Sequence, residues 1–158
     1  MKSTAASPWK FAVLSDINYA EGLDVAALAL EFLASDIKNQ GVDLVIFPGD
    51  MIASDDNIRD YKEPLDSWKA MMKPLYDEGI PIYVIRGDHE AESIMSVNSD
   101  LWLNEFPALK NLASPDGGFT YSFGHKNAKF VGFDQYINHH GWMMNSWVTT
   151  RSMRVPRH

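Results

Sequence analysis

The sequence predicts a single α/β domain built on a parallel β-sheet. Three short apolar runs alternate with two stretches whose apolar residues recur at helical spacing, and this order is typical of β-α-β units with right-handed crossovers. The length of 158 residues suits one domain, and a hydrophobic fraction of 46% is enough for one core. Because cysteine is absent from the sequence, disulfides and thiolate metal sites are excluded.

The first half of the chain supplies the parallel sheet and its helices. Residues 10–15, 43–47 and 81–85 are short apolar runs, and each predicts a buried strand. Residues 23–40 carry apolar side chains three and four positions apart and precede a glycine, which predicts the first helix. Residues 64–79 begin with a proline, which suits the first turn of a helix, and end with a glycine, so they predict the second helix.

The second half changes in character after residue 91. A short helix is predicted around residues 100–105, and a loop at residues 114–118, which contain proline, aspartate and two glycines. Residues 119–123 and 129–134 alternate in polarity on either side of a turn-prone stretch, which predicts a β-hairpin. The sequence has neither of the common glycine-rich nucleotide-binding motifs, G-x-G-x-x-G and G-x-x-x-x-G-K-[ST].

Three aspartates, Asp16, Asp50 and Asp88, closely follow the three predicted strands. Because the carboxyl ends of parallel strands face one crevice, the three carboxylates are expected to meet there, and a divalent cation would relieve their mutual repulsion. Their oxygens suit Mg²⁺, Mn²⁺ or Ca²⁺, while Asn18 could add an amide oxygen and His89 an imidazole, as a ligand or a proton donor. Any one aspartate could instead be only a helix cap or turn residue, but the three together favour a metal site.

The same segments resemble three motifs of a known family. Calcineurin-like metallophosphoesterases carry D-x-H, G-D and G-N-H-E/D motifs after successive strands, and the similar segments here are Asp16-Ile17-Asn18, Gly49-Asp50 and Gly87-Asp88-His89-Glu90. The resemblance extends over about residues 10–138. It implies a four-layer α/β/β/α sandwich, of which this chain would hold the N-terminal β-α-β-α-β half and the hairpin. It also implies hydrolysis of a phosphate mono- or diester, in a small phosphorylated substrate, by a metal-activated water.

The resemblance further implies a role for each matching residue. Asp16 would bind the first metal, Asp50 would bridge both metals, and Asp88 would bind the second metal, where the family has asparagine. His89 would contact the scissile phosphate and protonate the leaving oxygen. Asn18 replaces a histidine ligand of the family, so the ligand shell becomes richer in oxygen, and we expect Mn²⁺ or Mg²⁺ in preference to Zn²⁺ or iron.

The remaining candidates are one arginine and the later histidines. Arg86 could bind phosphate oxygens in pairs, with a plain surface arginine as an equal alternative. The family's later histidine motifs have no counterpart in the sequence, and His125 is predicted at the exposed tip of the hairpin. The histidines that follow His89 are His125, His139, His140 and His158.

The missing motifs keep a second hypothesis open. The chain could be a non-catalytic relic that binds a metal or phosphate and acts as an interaction module. An aspartate-nucleophile phosphotransferase is disfavoured, because residues 16–18 lack the second aspartate of a D-x-D motif.

Charge is divided unevenly along the chain. The net charge is −7, but residues 1–138 contain 11 basic and 21 acidic residues, whereas residues 139–158 contain three arginines and no acid. The acidic body argues against a general nucleic-acid-binding surface. We predict an incomplete metallophosphoesterase-like domain at residues 8–138, followed by an irregular basic tail at residues 139–158 that is truncated or out of frame.

Targeting features are not recognisable in the sequence. Its apolar runs are far shorter than the roughly 20 residues of a membrane span. Residues 1–8 contain no apolar core of a signal peptide. We therefore predict a cytoplasmic protein without a membrane span, with a leader upstream of residue 1 as the open alternative. The oligomeric state is also left open.

Overall fold

A parallel sheet organises the N-terminal half of the protein. The computed structural model describes residues 8–19, 24–53, 61–91 and 99–134. Strands β1 (Phe11–Val13), β2 (Leu44–Phe47) and β3 (Ile82–Val84) are parallel and lie in the order β1-β2-β3. The predicted α/β class and the three predicted strands are confirmed, whereas the predicted tail lies outside the described residues.

The helices that follow the first two strands pack on one face of this sheet. Helix α1 (Asp24–Asn39) lies close to its predicted bounds. The second predicted helix is divided into α2 (Lys62–Met71) and α3 (Lys73–Asp77), with Met72 in a turn between them. The prediction of one continuous helix is wrong because Pro74 has no backbone N–H to donate, and its ring conflicts with the carbonyl of the preceding turn.

Three short helical segments follow β3. Helix α4 (Asp88–Ala91) begins soon after the strand ends, and it carries the third sequence motif. Helix α5 (Ser99–Glu105) confirms the short helix predicted in this region, and a 3-10 helix (Pro107–Asn111) follows it. In the described ranges of the chain, no helix is both long and apolar enough to cross a membrane.

Strands β4 (Tyr121–His125) and β5 (Ala128–Gly132) form the predicted antiparallel hairpin. Phe123 lies opposite Phe130, and the connection is a short turn in which Lys126 adopts a left-handed conformation with a φ of 49°. The strand pairing continues up to His125, the residue before Lys126. The turn is for this reason shorter than the turn-prone stretch predicted between the two strands.

The hairpin and the helices lie on opposite faces of the parallel sheet. On one face, the ring of Phe47 makes an edge-to-face contact with Trp68 of α2 at a centroid distance of 5.0 Å. Phe47 is paired with Val84 of β3, so the side chain of Tyr83, one residue before Val84, points to the other face of the sheet. There the ring of Tyr83 stacks on that of Phe123 in the hairpin, with 3.5 Å between the ring centroids. The described residues thus supply one helical layer and two sheet layers of the predicted four-layer sandwich.

Strand β1 is more exposed than its sequence predicts. Phe11 and Val13 are 44% and 55% exposed, whereas Leu44, Val45 and Phe47 of β2 are fully buried. Among the described strands, β1 pairs only with β2 and so forms an edge of the sheet. The prediction of a buried β1 is wrong, because an apolar run has the same appearance at the edge and at the centre of a parallel sheet.

Trp68 on α2 is expected to be a main support of the core. Its side chain is fully buried between Phe47 and Phe106, whose ring centroids lie 5.0 and 6.0 Å away. Trp68→Ala should lower the free energy of unfolding by about 3–5 kcal/mol, because it leaves a large cavity. Urea unfolding would measure this loss. Phe32→Ala, at a side chain that is 73% exposed, should change the stability by only about 0.5 kcal/mol, and equal losses in the two variants would contradict the assignment.

Candidate metal centre

The loops that follow β1 and β2 are joined by backbone hydrogen bonds. The Asp16 N–H donates to the Gly49 carbonyl at 3.3 Å, and the Asn18 N–H donates to the Asp50 carbonyl at 2.9 Å. These bonds continue the pairing of the two strands beyond their carboxyl ends. The first two sequence motifs therefore lie side by side at one edge of the sheet.

Asp50, Asp88 and His89 form a cluster of possible metal ligands at this edge. One ligand atom of each residue lies within 4.8 Å of those of the other two. Asp16 lies outside the cluster, because its side chain is exposed and its carboxylate accepts a hydrogen bond from the Ser15 hydroxyl. The structure thus brings two of the three predicted aspartates together with the histidine and leaves the third on the adjoining loop.

Asn18 offers a side-chain oxygen to this edge of the sheet. Its Oδ1 is buried and accepts no hydrogen bond from any described residue. A buried carbonyl oxygen without a donor costs about 1–3 kcal/mol. A cation would relieve this cost, so the orphaned oxygen fits the predicted role of Asn18 as a ligand.

The charges of the cluster also suit a cation. Burial, and after it the negative charge of Asp88, raise the pKa of Asp50 to about 6. The backbone N–H of His89 donates a hydrogen bond to Asp50 Oδ1 at 3.4 Å, and this bond lowers the pKa of Asp50. Two adjacent carboxylates that are both ionised repel each other, so the site favours a proton or a positive ion. Its carboxylate and amide oxygens are the ligands that hard divalent cations prefer.

The backbone of the site is held in a strained conformation. Asp16, Asn18 and Asp50 have φ angles of 57°, 49° and 54°. This left-handed region costs most non-glycine residues roughly 1–2 kcal/mol, and it costs Asp and Asn less because their short side chains can bond to the local backbone. Strained residues persist only where the surrounding structure enforces them, and they concentrate at functional sites. The conformation therefore supports, independently of the chemistry, a functional role for these loops.

Gly87 lies against the carboxylate of Asp50, and this contact leads to a test. A Cβ at position 87 would overlap Asp50 Oδ1 and lie 2.6 Å from the Asp50 nitrogen. We expect Gly87→Ala to weaken Mn²⁺ binding by about 10- to 100-fold, the usual cost of disturbing the residues that support a ligand. Isothermal titration calorimetry would measure the affinity. The control is Gly124→Ala, whose new Cβ would lie 3.9 Å from its nearest neighbour; equal affinities in the two variants would contradict this placement.

Glu90 is a functional candidate to which the sequence reasoning assigned no role beyond its place in the third motif. Its side chain is buried, with 6% of the residue exposed, and it accepts backbone hydrogen bonds from the loops after β2 and β3. The position of Glu90 at the third residue of α4 was the available sequence signal. A glutamate there often accepts a hydrogen bond from the backbone N–H of the residue before the helix. The bonds to the other loop could not be read from the sequence.

Arg86 is buried and ion-paired, so the surface-arginine alternative is wrong. Only 8% of the residue is exposed, its Nε donates to Asp134 Oδ2 at 2.7 Å, and its guanidinium lies 4.4 Å from the ring centre of Phe119. Asp134 follows β5 and is 48 residues away in sequence, which is why no local pattern predicted the pair. Contact of Arg86 with a substrate phosphate stays a prediction.

His125 lies at the opposite end of the sheet from the cluster. It is the last residue of β4, and its Nε2 is 3.4 Å from Oδ1 of Asp43, which precedes β2. Its ring also contacts Trp9 edge-on at 5.0 Å. His125 thus lies next to the turn at the predicted tip of the hairpin, but its ring is only partly exposed. It belongs to a polar and aromatic cluster that joins Trp9 to the hairpin. His139 and His140 lie outside the described residues.

The protein combines a parallel α/β sheet, a hairpin packed on it, and possible acidic and histidine ligands at the carboxyl edge of the sheet. This arrangement is the one expected of a metallophosphoesterase. The family model of the calcineurin-like phosphoesterases matches residues 10–156. The chain belongs to this family, as its three motifs predict. The match runs into the segment at 139–158, whose predicted atypical character stays a prediction.

A solved structure shows the same fold. The crystal structure of a dimetal phosphatase from Danio rerio superposes with a TM-score of 0.53 at 19% identity, over 78% of this chain and 43% of that one. A purple acid phosphatase from yellow lupin (Lupinus luteus) seeds gives a TM-score of 0.47 at 15% identity, over 77% and 23% of the two chains. The chain thus spans less than half the length of either structure. A search of curated proteins found no match.

Proposed function

We propose that the protein is a metal-dependent phosphoesterase that hydrolyses a phosphate mono- or diester in a small phosphorylated substrate. The observation that carries this proposal is the meeting of Asp50, Asp88 and His89 within 4.8 Å, in a chain of the calcineurin-like phosphoesterase family. The position of the cluster adds support, since the carboxyl edge of a parallel sheet is where α/β proteins bind ligands.

The proposed cofactor is a divalent cation held by Asp50, Asp88 and the Asn18 oxygen, with Asp16 contributing from the adjoining loop. Because all of these donors are oxygens, we favour Mn²⁺ or Mg²⁺ over Zn²⁺ or iron. When bound, such a cation would neutralise the phosphoryl oxygens and make water a better nucleophile near neutral pH. The chain's own contribution is to hold the donors together in a partly dry site.

The proposed general acid is His89. Its imidazole adjoins the two carboxylates at the start of α4, where it could hold a proton and transfer it to the leaving oxygen. We also propose Arg86 as a phosphate contact. Asp134 fixes its guanidinium through Nε, and the terminal amino groups of an arginine can bind phosphate oxygens in pairs.

A second candidate function follows from the absent histidine motifs. Without further ligands, the cluster would hold one cation weakly, and the chain would act as a metal- or phosphate-binding module without turnover. The two functions make different predictions for the same protein. The relic should bind a cation or phosphate and hydrolyse nothing, whereas the enzyme should turn over a phosphoester only when the cation is present.

The deciding experiment measures hydrolysis of p-nitrophenyl phosphate and its bis ester with Mn²⁺, Mg²⁺ or Zn²⁺, together with binding of each metal by calorimetry. Metal-dependent turnover that is fastest with Mn²⁺ or Mg²⁺ is expected. Binding without turnover would favour the relic. Absence of both metal binding and turnover would contradict the enzyme and the metal-binding form of the relic.

A further inference from the structure

Glu90 uses its whole carboxylate to bind backbone groups of two separate loops. Oε1 accepts the N–H of Met51 at 2.7 Å and of Ile52 at 3.2 Å. Oε2 accepts the N–H of Asp50 at 2.9 Å and of Gly87 at 2.7 Å. A carboxylate has about four lone-pair sites, and four donors occupy them. Glu90 is therefore unsuited to be a metal ligand, although it adjoins His89 in the sequence.

The loop that carries Asp50 forms a nest around the Glu90 carboxylate. Three successive N–H groups, of residues 50–52, converge on its two oxygens. Asp50 begins this turn in the left-handed conformation, with a φ of 54°. Concave arrangements of successive N–H groups bind anions in many proteins. Here the anion is internal, so this nest is filled and a substrate phosphate would need to bind elsewhere.

Glu90 also joins the loop to the helix that bears the other two members of the cluster. Helix α4 has only four residues, Asp88–Ala91, so its own hydrogen bonds hold it weakly. The bond from Gly87 to Glu90 closes its first turn, in the manner of a capping box. The bonds to residues 50–52 then fix that turn against the loop after β2. One side chain thus sets the separation between Asp50 on one element and Asp88 and His89 on the other.

We propose that Glu90 is the positioning residue of the metal centre. It acts through the backbone: it enforces the strained conformation of Asp50 and holds that carboxylate opposite Asp88 and His89. The proposal rests on the proposed function only in taking the ligand of the cluster to be a divalent cation, and it requires no turnover.

Two substitutions at Glu90 separate position from charge. Glu90→Gln keeps the size but presents an amide N–H₂ to two backbone donors. Glu90→Asp keeps the charge but withdraws the oxygens by one methylene. Both should weaken Mn²⁺ binding by about 10- to 100-fold, as is usual for an outer-shell partner of a metal site. The matched control is Glu105→Gln, because Glu105 is partly buried and pairs with the side chain of Lys69; its affinity should equal that of the unmodified protein.

Calorimetry and the Mn²⁺ electron paramagnetic resonance spectrum would provide the readouts. Full affinity and an unchanged spectrum in Glu90→Asp would overturn the proposal and show that charge alone matters. Equal weakening in Glu105→Gln would overturn it as well. If the unmodified protein binds Mn²⁺ without hydrolysing a phosphoester and the Glu90 variants lose that binding, the positioning role stands and the phosphoesterase proposal fails.

A measurement on the unmodified protein covers the case in which the variants fail to fold. Amide hydrogen exchange, followed by NMR in the metal-free full chain, should show protection of Asp50, Met51, Ile52 and Gly87. Protection should be well above that of Gly117, in the exposed loop before β4. Exchange of the four amides as fast as that of Gly117 would overturn the proposal.

Discussion

Replacement of Asp50 by asparagine is expected to abolish metal-dependent turnover and to weaken Mn²⁺ binding by more than about 100-fold, beyond the usual cost of losing an outer-shell partner. Asp50 is the member of the cluster that comes from the loop after β2, and its carboxylate adjoins both Asp88 and His89. An amide of the same shape keeps one oxygen but loses the negative charge. Calorimetry and p-nitrophenyl phosphate hydrolysis would measure the two effects.

Folding should survive this substitution. Burial, and after it the negative charge of Asp88, raise the pKa of Asp50 and so disfavour its ionised form in the metal-free protein. Asp50→Asn should therefore unfold at a temperature no lower than that of the unmodified protein. Asp66→Asn is the matched control, since Asp66 is an exposed aspartate that pairs with Lys62 on α2. It should retain full turnover. Turnover that persists in Asp50→Asn would show that the proposed role of Asp50 as a metal ligand is wrong.

Replacement of His89 by asparagine is expected to lower kcat by about 10²- to 10⁴-fold, the usual contribution of a general acid. The deficit should depend on the leaving group. The leaving oxygen of phenyl phosphate is more basic than that of p-nitrophenyl phosphate and needs a proton more. In His89→Asn, kcat for phenyl phosphate should therefore fall further than kcat for p-nitrophenyl phosphate. Steady-state kinetics on the two esters, at saturating Mn²⁺, would measure the difference.

The competing role of His89 is that of a metal ligand. In that case, His89→Asn would weaken Mn²⁺ binding, and excess Mn²⁺ would restore turnover equally for both esters. His125→Asn is the control, because His125 lies beside Asp43 at the other end of the sheet. It should leave the rates unchanged. An equal loss in both histidine variants would contradict the assignment of His89.

The fold was predictable where local patterns decide it. The strands and α1 follow from apolar runs and helical spacing, and the hairpin follows from alternation around a turn. The break between α2 and α3 also has a local cause, Pro74. It was not predicted because the apolar residues on both sides of Pro74 follow one continuous helical spacing. The exposure of Phe11 and Val13 was not encoded locally, because it depends on whether another strand lies beside β1.

The site was predictable to the extent that topology constrains it. Parallel strands place their carboxyl ends at one edge, so the meeting of Asp50 and Asp88 followed from their positions after β2 and β3. Topology does not determine the direction of each side chain. Asp16 follows β1 in the same way, yet its carboxylate is exposed and lies outside the cluster.

The sequence alone determined the α/β class, the family and the motif residues, because these depend on residue types at short spacing. The tertiary structure decided which of these residues meet and what supports them. Glu90 reaches residues 50–52, and Arg86 reaches Asp134, only after distant parts of the chain have come together. Buried charged groups need partners wherever the fold places them. Among the described acidic residues, Asp50 and Asp88 are therefore the ones that could bind a cation together, whereas Glu90 and Asp134 are already bound by other groups of the protein.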